Sequence, residues 1–245
     1  MAGLLQDAYE VYTENTKLVL LFSIPFAIAF AIPLVAHLFT YVTLGGTFLS
    51  TAGTFNGIDI PSMVIIVVST IFSLLFLSFA FVAISMIVKS RKTHVSIGKR
   101  ALMEIEKHIG KVFAVLLLYS FILLAINLLS YAFAPGLAAG ITALFGFIIG
   151  AITFYAPSAI VIDNKRVLRS IGDSVRLVMR TPQYYLLWIA LLTLAISLLD
   201  VIAIAVFGTV LSGYVTLVLI SIFVLPYFVI LQTEAYMRKF PLLVH

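Results

Sequence analysis

Six apolar runs, each long enough to cross a hydrocarbon layer, leave few folds open to this sequence. They are Leu18–Thr40, Pro61–Val88, Val112–Phe133, Gly136–Ile162, Pro182–Phe207 and Leu211–Thr233. A bilayer core of about 30 Å needs about 20 apolar residues per helix. The runs do not alternate apolar and polar residues, as barrel strands must, so a β-barrel is excluded. Only 10% of the residues are charged and 63% are apolar, whereas a soluble chain is about 25% charged and needs that polarity to cover its surface. The expected fold is all-α: one polytopic membrane domain over residues 1–245 with six transmembrane helices.

The first run follows an acidic, tyrosine-containing stretch instead of a basic start, and no small-residue cleavage site follows a short apolar core. It is therefore expected to be a retained helix and not a signal peptide. The chain has no cysteine, which removes disulfides, thiolate metal sites and thiol nucleophiles.

Charge sets the expected orientation, because Lys and Arg gather on the cytoplasmic side of membrane proteins. All 15 basic residues fall on one side of the predicted spans. Lys17 precedes the first; Lys89, Arg91, Lys92, Lys99, Arg100, Lys107 and Lys111 separate the second and third. Lys165, Arg166, Arg169, Arg176 and Arg180 separate the fourth and fifth, and Arg238 and Lys239 follow the last. Both termini are thus expected in the cytoplasm of a cell-membrane protein. Lys99, Arg100, Arg169, Arg176 and Arg180 are the expected contacts to anionic lipid, at about 1 kcal/mol for each residue near the surface. The plainer alternative is that these charges only orient the chain.

A common plan recurs before each odd-numbered span. Asp7–Lys17, Ala101–Lys111 and Asp173–Gln183 align without gaps, and their helix breakers, Asn15-Thr16, Ile109-Gly110 and Thr181-Pro182, coincide. Thr181 before Pro182 has the form of an N-cap and a first helical residue. Three tandem units follow, residues 1–88, 89–162 and 163–245. Each is an interfacial amphipathic helix, its apolar face toward the membrane, followed by a transmembrane hairpin.

Few polar groups interrupt the spans. Asp200 is the one acid inside a predicted span, and an intramembrane ionisable group is a functional hypothesis by default. Thr193, Ser197 and Asp200 share a helical face that is expected to point into the bundle. His37 and Asn127 lie at a similar outer depth. In the fourth span Gly136, Gly140, Gly146 and Gly150 form two small-xxx-small pairs suited to close helix packing. The outer loop Tyr41–Ile60 is expected either to lie as a lid or to pack at the interface. Metalloprotease, P-loop and nucleophile-elbow motifs are missing, as is a histidine cluster for zinc. The Pro-x-acid-x-x-base signature of mitochondrial carriers follows none of the eight prolines.

Two stretches carry a family likeness: Asp7-Ala8-Tyr9 through Asn15, and Tyr155-Ala156-Pro157-Ser158-Ala159-Ile160-Val161 leading into Arg169 to Ser174. They resemble the membrane domain attached to some bacterial glycerophosphodiester phosphodiesterases, and related archaeal and bacterial polytopic membrane families of unknown function. The resemblance implies a six-helix bundle without an activity, since the fused enzymes hydrolyse substrate in a separate barrel domain. The expected function is a non-enzymatic, lipid-facing scaffold or accessory protein. It needs no cofactor, metal or nucleic acid, and its partners are membrane lipids and a membrane protein or second copy. The competing expectation is a small secondary transporter or channel with its site near Asp200.

Overall fold

The structure is a computed structural model and describes residues 2–35, 60–93 and 99–239. His37 and the outer loop up to residue 59 lie outside the described residues. Helices α1 (Ala2–Glu14) and α2 (Thr16–Val35) come first, then α3 (Ile60–Thr93) and α4 (Lys99–Phe133). A 3-10 turn, Pro135–Leu137, leads to α5 (Ala138–Thr153), α6 (Ala156–Asp163) and α7 (Val167–Arg180). The chain closes with α8 (Pro182–Leu219), a π-helical turn (Ile220–Val224) and α9 (Leu225–Lys239). No strand occurs among the described residues.

Five helical stretches are long and apolar enough to cross a membrane: Val64–Thr93, Met103–Phe133, Gly140–Asp163, Pro182–Thr209 and Leu211–Arg238. A sixth is reached only by pairing Gly3–Glu14 with Thr16–Ile32 across a bend of 93°. Gly208 separates the two arms of α8 with φ 73°, a left-handed backbone that glycine adopts without a Cβ clash. Asp200 and Thr216 touch across that turn at 3.4 Å. Sixteen residues of straight helix would hold them about 24 Å apart, so the arms form a hairpin.

Two of the three expected corners exist. Asn15 turns α1 into α2, and Thr181-Pro182 turns α7 into α8. Thr181 does not cap α8, however; its hydroxyl donates back to the Leu177 carbonyl at 3.0 Å. The third corner is corrected. Lys99–Phe133 is one helix that passes through Gly110 without a break, because one glycine costs a helix only about 1 kcal/mol and Ile105, Val112 and Val115 bury a continuous stripe on either side of it.

The fourth predicted span is interrupted. Pro157 has no N–H for the Thr153 carbonyl, and its ring clashes with that oxygen. The helix therefore stops at Thr153 and restarts at Ala156. α1 also departs from expectation. Its apolar residues Leu4, Ala8 and Val11 are buried in the same core as Leu231, Ala235 and Tyr236 of α9, so that face meets protein and not lipid.

Candidate functional site

The last turns of α3 carry three cations that reach four neighbouring helices. Lys89 donates to the Val161 carbonyl of α6 at 3.0 Å and lies 3.8 Å from Glu104 of α4. Arg91 reaches α1, pairing with Glu10 at 3.3 Å and Glu14 at 2.9 Å. Lys92 reaches α9, where its ammonium is 3.2 Å from Glu234. Arg238 adds a second tie to α1 through Asp7 at 2.6 Å. That hydrogen bond holds the Asp7 carboxyl below its ordinary value of 3.8 against the opposing effect of burial.

Beneath α1, three consecutive α9 side chains answer four residues of other segments. The Gln232 amide donates to the Phe154 carbonyl, which the helix break leaves without its usual partner. The other side of the break is also satisfied, since the Tyr155 N–H donates to the Ser174 hydroxyl of α7 at 2.9 Å. Thr233 lies 3.1 Å from Ser85 and 3.3 Å from Ser158, so hydroxyls from α3, α6 and α9 converge. The Glu234 side chain is 0% exposed. Beyond its ion pair, neither oxygen has a hydrogen-bond partner among the described residues.

A polar corner joins α6 to α7. Asn164 turns the chain with φ 52° and accepts from Lys111 at 2.8 Å. Lys165 sits between Asp163 at 2.8 Å and Asp173 at 2.7 Å, while Tyr236 donates to Asp163 at 2.6 Å. Burial works against the Lys165 ammonium, but the two carboxylates outweigh it and hold its pKa above the ordinary 10.5.

The predicted outer site comes together only in part. Asp200 is half-buried and accepts from Thr216 of the other α8 arm at 3.4 Å. Thr193 and Ser197 are exposed, which corrects the expectation that their stripe points into the bundle. The residues that pack α8 inward, Tyr185, Leu192, Ile196 and Ala203, lie about 100° around the helix from that stripe. Asn127 is buried on α4 and donates to Thr142 of α5 at 3.1 Å, so it is engaged elsewhere than at Asp200.

Of the predicted packing glycines, Gly150 is close to Tyr185, whose hydroxyl oxygen is 3.0 Å from the place a Cβ would take. Gly146 faces Leu123 at 3.6 Å. Gly136 and Gly140 have nothing within 4 Å, which corrects the first of the two pairs: no described neighbour approaches there.

The predicted lipid contacts divide as well. Lys99 and Arg100 begin α4, with side chains outside the described residues. Arg169, Arg176 and Arg180 are exposed on α7, and among the described residues none of them makes an ion pair. The buried face of α7 is Ser170, Ser174 and Leu177. Exposed Leu168 and Met179 occupy the arc beyond the arginines.

A narrow crevice between α1, α8 and α9 is lined by Leu4, Phe154, Tyr155, Tyr184, Trp188 and Gln232 among others. It has room for about one water molecule, far too little for a small-molecule site. No group of three or more His, Asp or Glu suited to a metal occurs among the described residues. No family model, curated protein or solved structure matches this chain.

Proposed function

We propose that this chain is a six-span membrane protein with both termini in the cytoplasm, acting as a non-enzymatic scaffold or accessory that holds anionic lipid against α7. One observation carries the reading: two clusters of basic residues have opposite surroundings. Those ending α3, together with Arg238, pair with acids and a carbonyl inside the protein. Arg169, Arg176 and Arg180 are instead exposed without an ion pair to a described residue. Asp173, the one acid on their helix, is occupied by Lys165.

An exposed arginine arc next to exposed Leu168 and Met179 suits an interface, where guanidinium groups meet phosphate and apolar side chains meet acyl chains. α7 also leads directly from one candidate span to the next, which supports a place at headgroup depth. The transport reading gains nothing comparable, because Thr193 and Ser197 lie on an outward face and not on an internal path.

The purified full-length protein in a neutral detergent is expected to gain several degrees of thermal stability from phosphatidylglycerol and little from phosphatidylcholine. Arg169→Gln, Arg176→Gln and Arg180→Gln together should remove that difference while leaving the lipid-free melting temperature unchanged. Equal stabilisation of the triple variant would overturn the assignment to α7.

A further inference from the structure

The first arm of α8 is the least covered of the candidate spans: only 17% of its apolar stretch is buried, against 56% for Val64–Thr93. On its open side Ala190, Thr193, Ser197, Asp200 and Ile204 follow one another at steps of three, four, three and four residues. That is the spacing of a helix–helix seam. Ala190, Thr193, Ser197 and Ile204 are exposed and Asp200 is half-buried.

The depth of this seam makes its polarity costly. At 1.5 Å per residue, Thr193 is about 16 Å and Asp200 about 27 Å from Pro182, and Asp200 is still about 12 Å short of the Gly208 turn. A hydrocarbon core of about 30 Å centred on this arm encloses both. Hydroxyls elsewhere in the bundle are satisfied by their own helix: Ser23 donates to Val19, Ser69 to Ile65 and Ser221 to Leu217. The Thr193 and Ser197 hydroxyls make no hydrogen bond with a described residue. A lone exposed hydroxyl, as at Thr70 on α3, is a small cost; two on one seam with an acid are a larger one. A carboxylate can accept about four hydrogen bonds, and Asp200 has one, from Thr216 at 3.4 Å.

We infer that this seam is a docking face for a transmembrane helix of a different membrane protein, one that carries a lysine or arginine in its outer half. The inference rests on the membrane-spanning reading proposed above. Charge complementarity selects the occupant. All 15 basic residues of this chain lie on the opposite side of the spans, so a second copy in parallel orientation brings no lysine or arginine to the depth of Asp200. A foreign helix with a cation there supplies the missing donor to Asp200, and its backbone comes close over Ala190, Thr193 and Ser197.

The test uses the full chain in nanodiscs with two synthetic leucine–alanine transmembrane peptides, identical except for one lysine placed at the depth of Asp200 or a leucine in its place. Energy transfer between labelled protein and labelled peptide should show at least ten-fold tighter association of the lysine peptide. Asp200→Asn, which keeps a group able to accept from Thr216, should bring it to the level of the leucine peptide. Ser197→Leu should weaken it by crowding the seam. Equal association of the two peptides overturns the inference, and so does strong transfer between two copies of this chain with no preference for the lysine peptide. Rapid labelling of Ser197→Cys by an impermeant aqueous maleimide would instead overturn the membrane depth on which the inference stands.

Discussion

Glu234 is the residue whose environment departs most from its place in the sequence. Hydropathy ends the last span at Thr233 and counts Glu234 among surface acids, yet its side chain is 0% exposed. The reason is helical geometry. Gln232, Thr233 and Glu234 are consecutive, so their side chains radiate at 100° intervals, and α1 covers the arc that would otherwise reach water. Removing one partner of such a pair leaves a buried charge uncompensated. Lys92→Met is therefore expected to cost about 3 kcal/mol in denaturant unfolding, at the low end for buried pairs because Lys92 is itself partly exposed. Lys92→Met with Glu234→Leu should cost less than Lys92→Met alone; a double variant worse than the single would show that Glu234 is held by something other than this pair. The glycines give a second contrast. Gly150→Ala puts a methyl 3.0 Å from the Tyr185 oxygen and disturbs its 2.8 Å bond to the Phe147 carbonyl. The lost contact costs about 1 kcal/mol and offsets the helix-propensity gain of similar size, so no net stabilisation is expected. Gly140→Ala meets nothing and should be stabilising by up to about 1 kcal/mol, from helix propensity alone. Similar melting temperatures for the two variants would contradict the packing described.

At the scale of elements, the sequence showed where helices must stop more reliably than it showed what their faces meet. Asn15 and Thr181-Pro182 do end helices, whereas Gly110 does not, since a glycine permits a corner and only packing decides whether one forms. Proline chemistry explains the break before Pro157 but does not single it out, since α2 runs through Pro25 and Pro33 without one. Its stabilisation was not legible either, because the amide that satisfies Phe154 comes from Gln232, 78 residues away. Gln232→Leu leaves that carbonyl buried without a donor and should cost about 1–3 kcal/mol, read as a lower melting temperature in detergent. The α6–α7 corner has a pH dependence of definite sign. Lys165 has a pKa raised above 10.5 in the folded state, so its contribution is complete below that value and is lost as pH rises through the folded pKa. The melting temperature should fall above about pH 10.5, and Lys165→Met should flatten that limb. The strap α1 behaves in the opposite sense. Asp7 is held below 3.8, so its tie to Arg238 is present above that value and is lost as pH falls through the lowered one. Amide exchange over residues 2–14 should rise first in acid; unchanged exchange there would place the hold on α1 in its apolar face alone.

For the whole molecule, the charge asymmetry divides labour between two helices that the sequence presents as equivalents. α1 and α7 each precede a longer apolar helix, but α1 brings Asp7, Glu10 and Glu14 and closes onto Arg238 and Arg91. α7 brings arginines and leaves them outward. The absence of native cysteine makes the proposed topology directly testable. Single cysteines at Gly172 and at the exposed Thr209 should be labelled by an impermeant reagent from opposite faces of sealed vesicles, and labelling of both from one face would refute six spans.

Hydropathy and the placement of charge, both local properties, determined the helical class and the bounds of the apolar stretches. They are legible because a long apolar run can satisfy its backbone in lipid only as a helix or a closed barrel, and the pattern excludes the barrel. Periodicity also showed that Thr193, Ser197 and Asp200 share a face. Which face is covered depends on neighbours distant in sequence, and only the tertiary structure decided that. It turned the α8 stripe outward, drew Glu234 inward and tied down the cations of α3, because a side chain's partner is set by the packing of whole helices and not by the residues beside it.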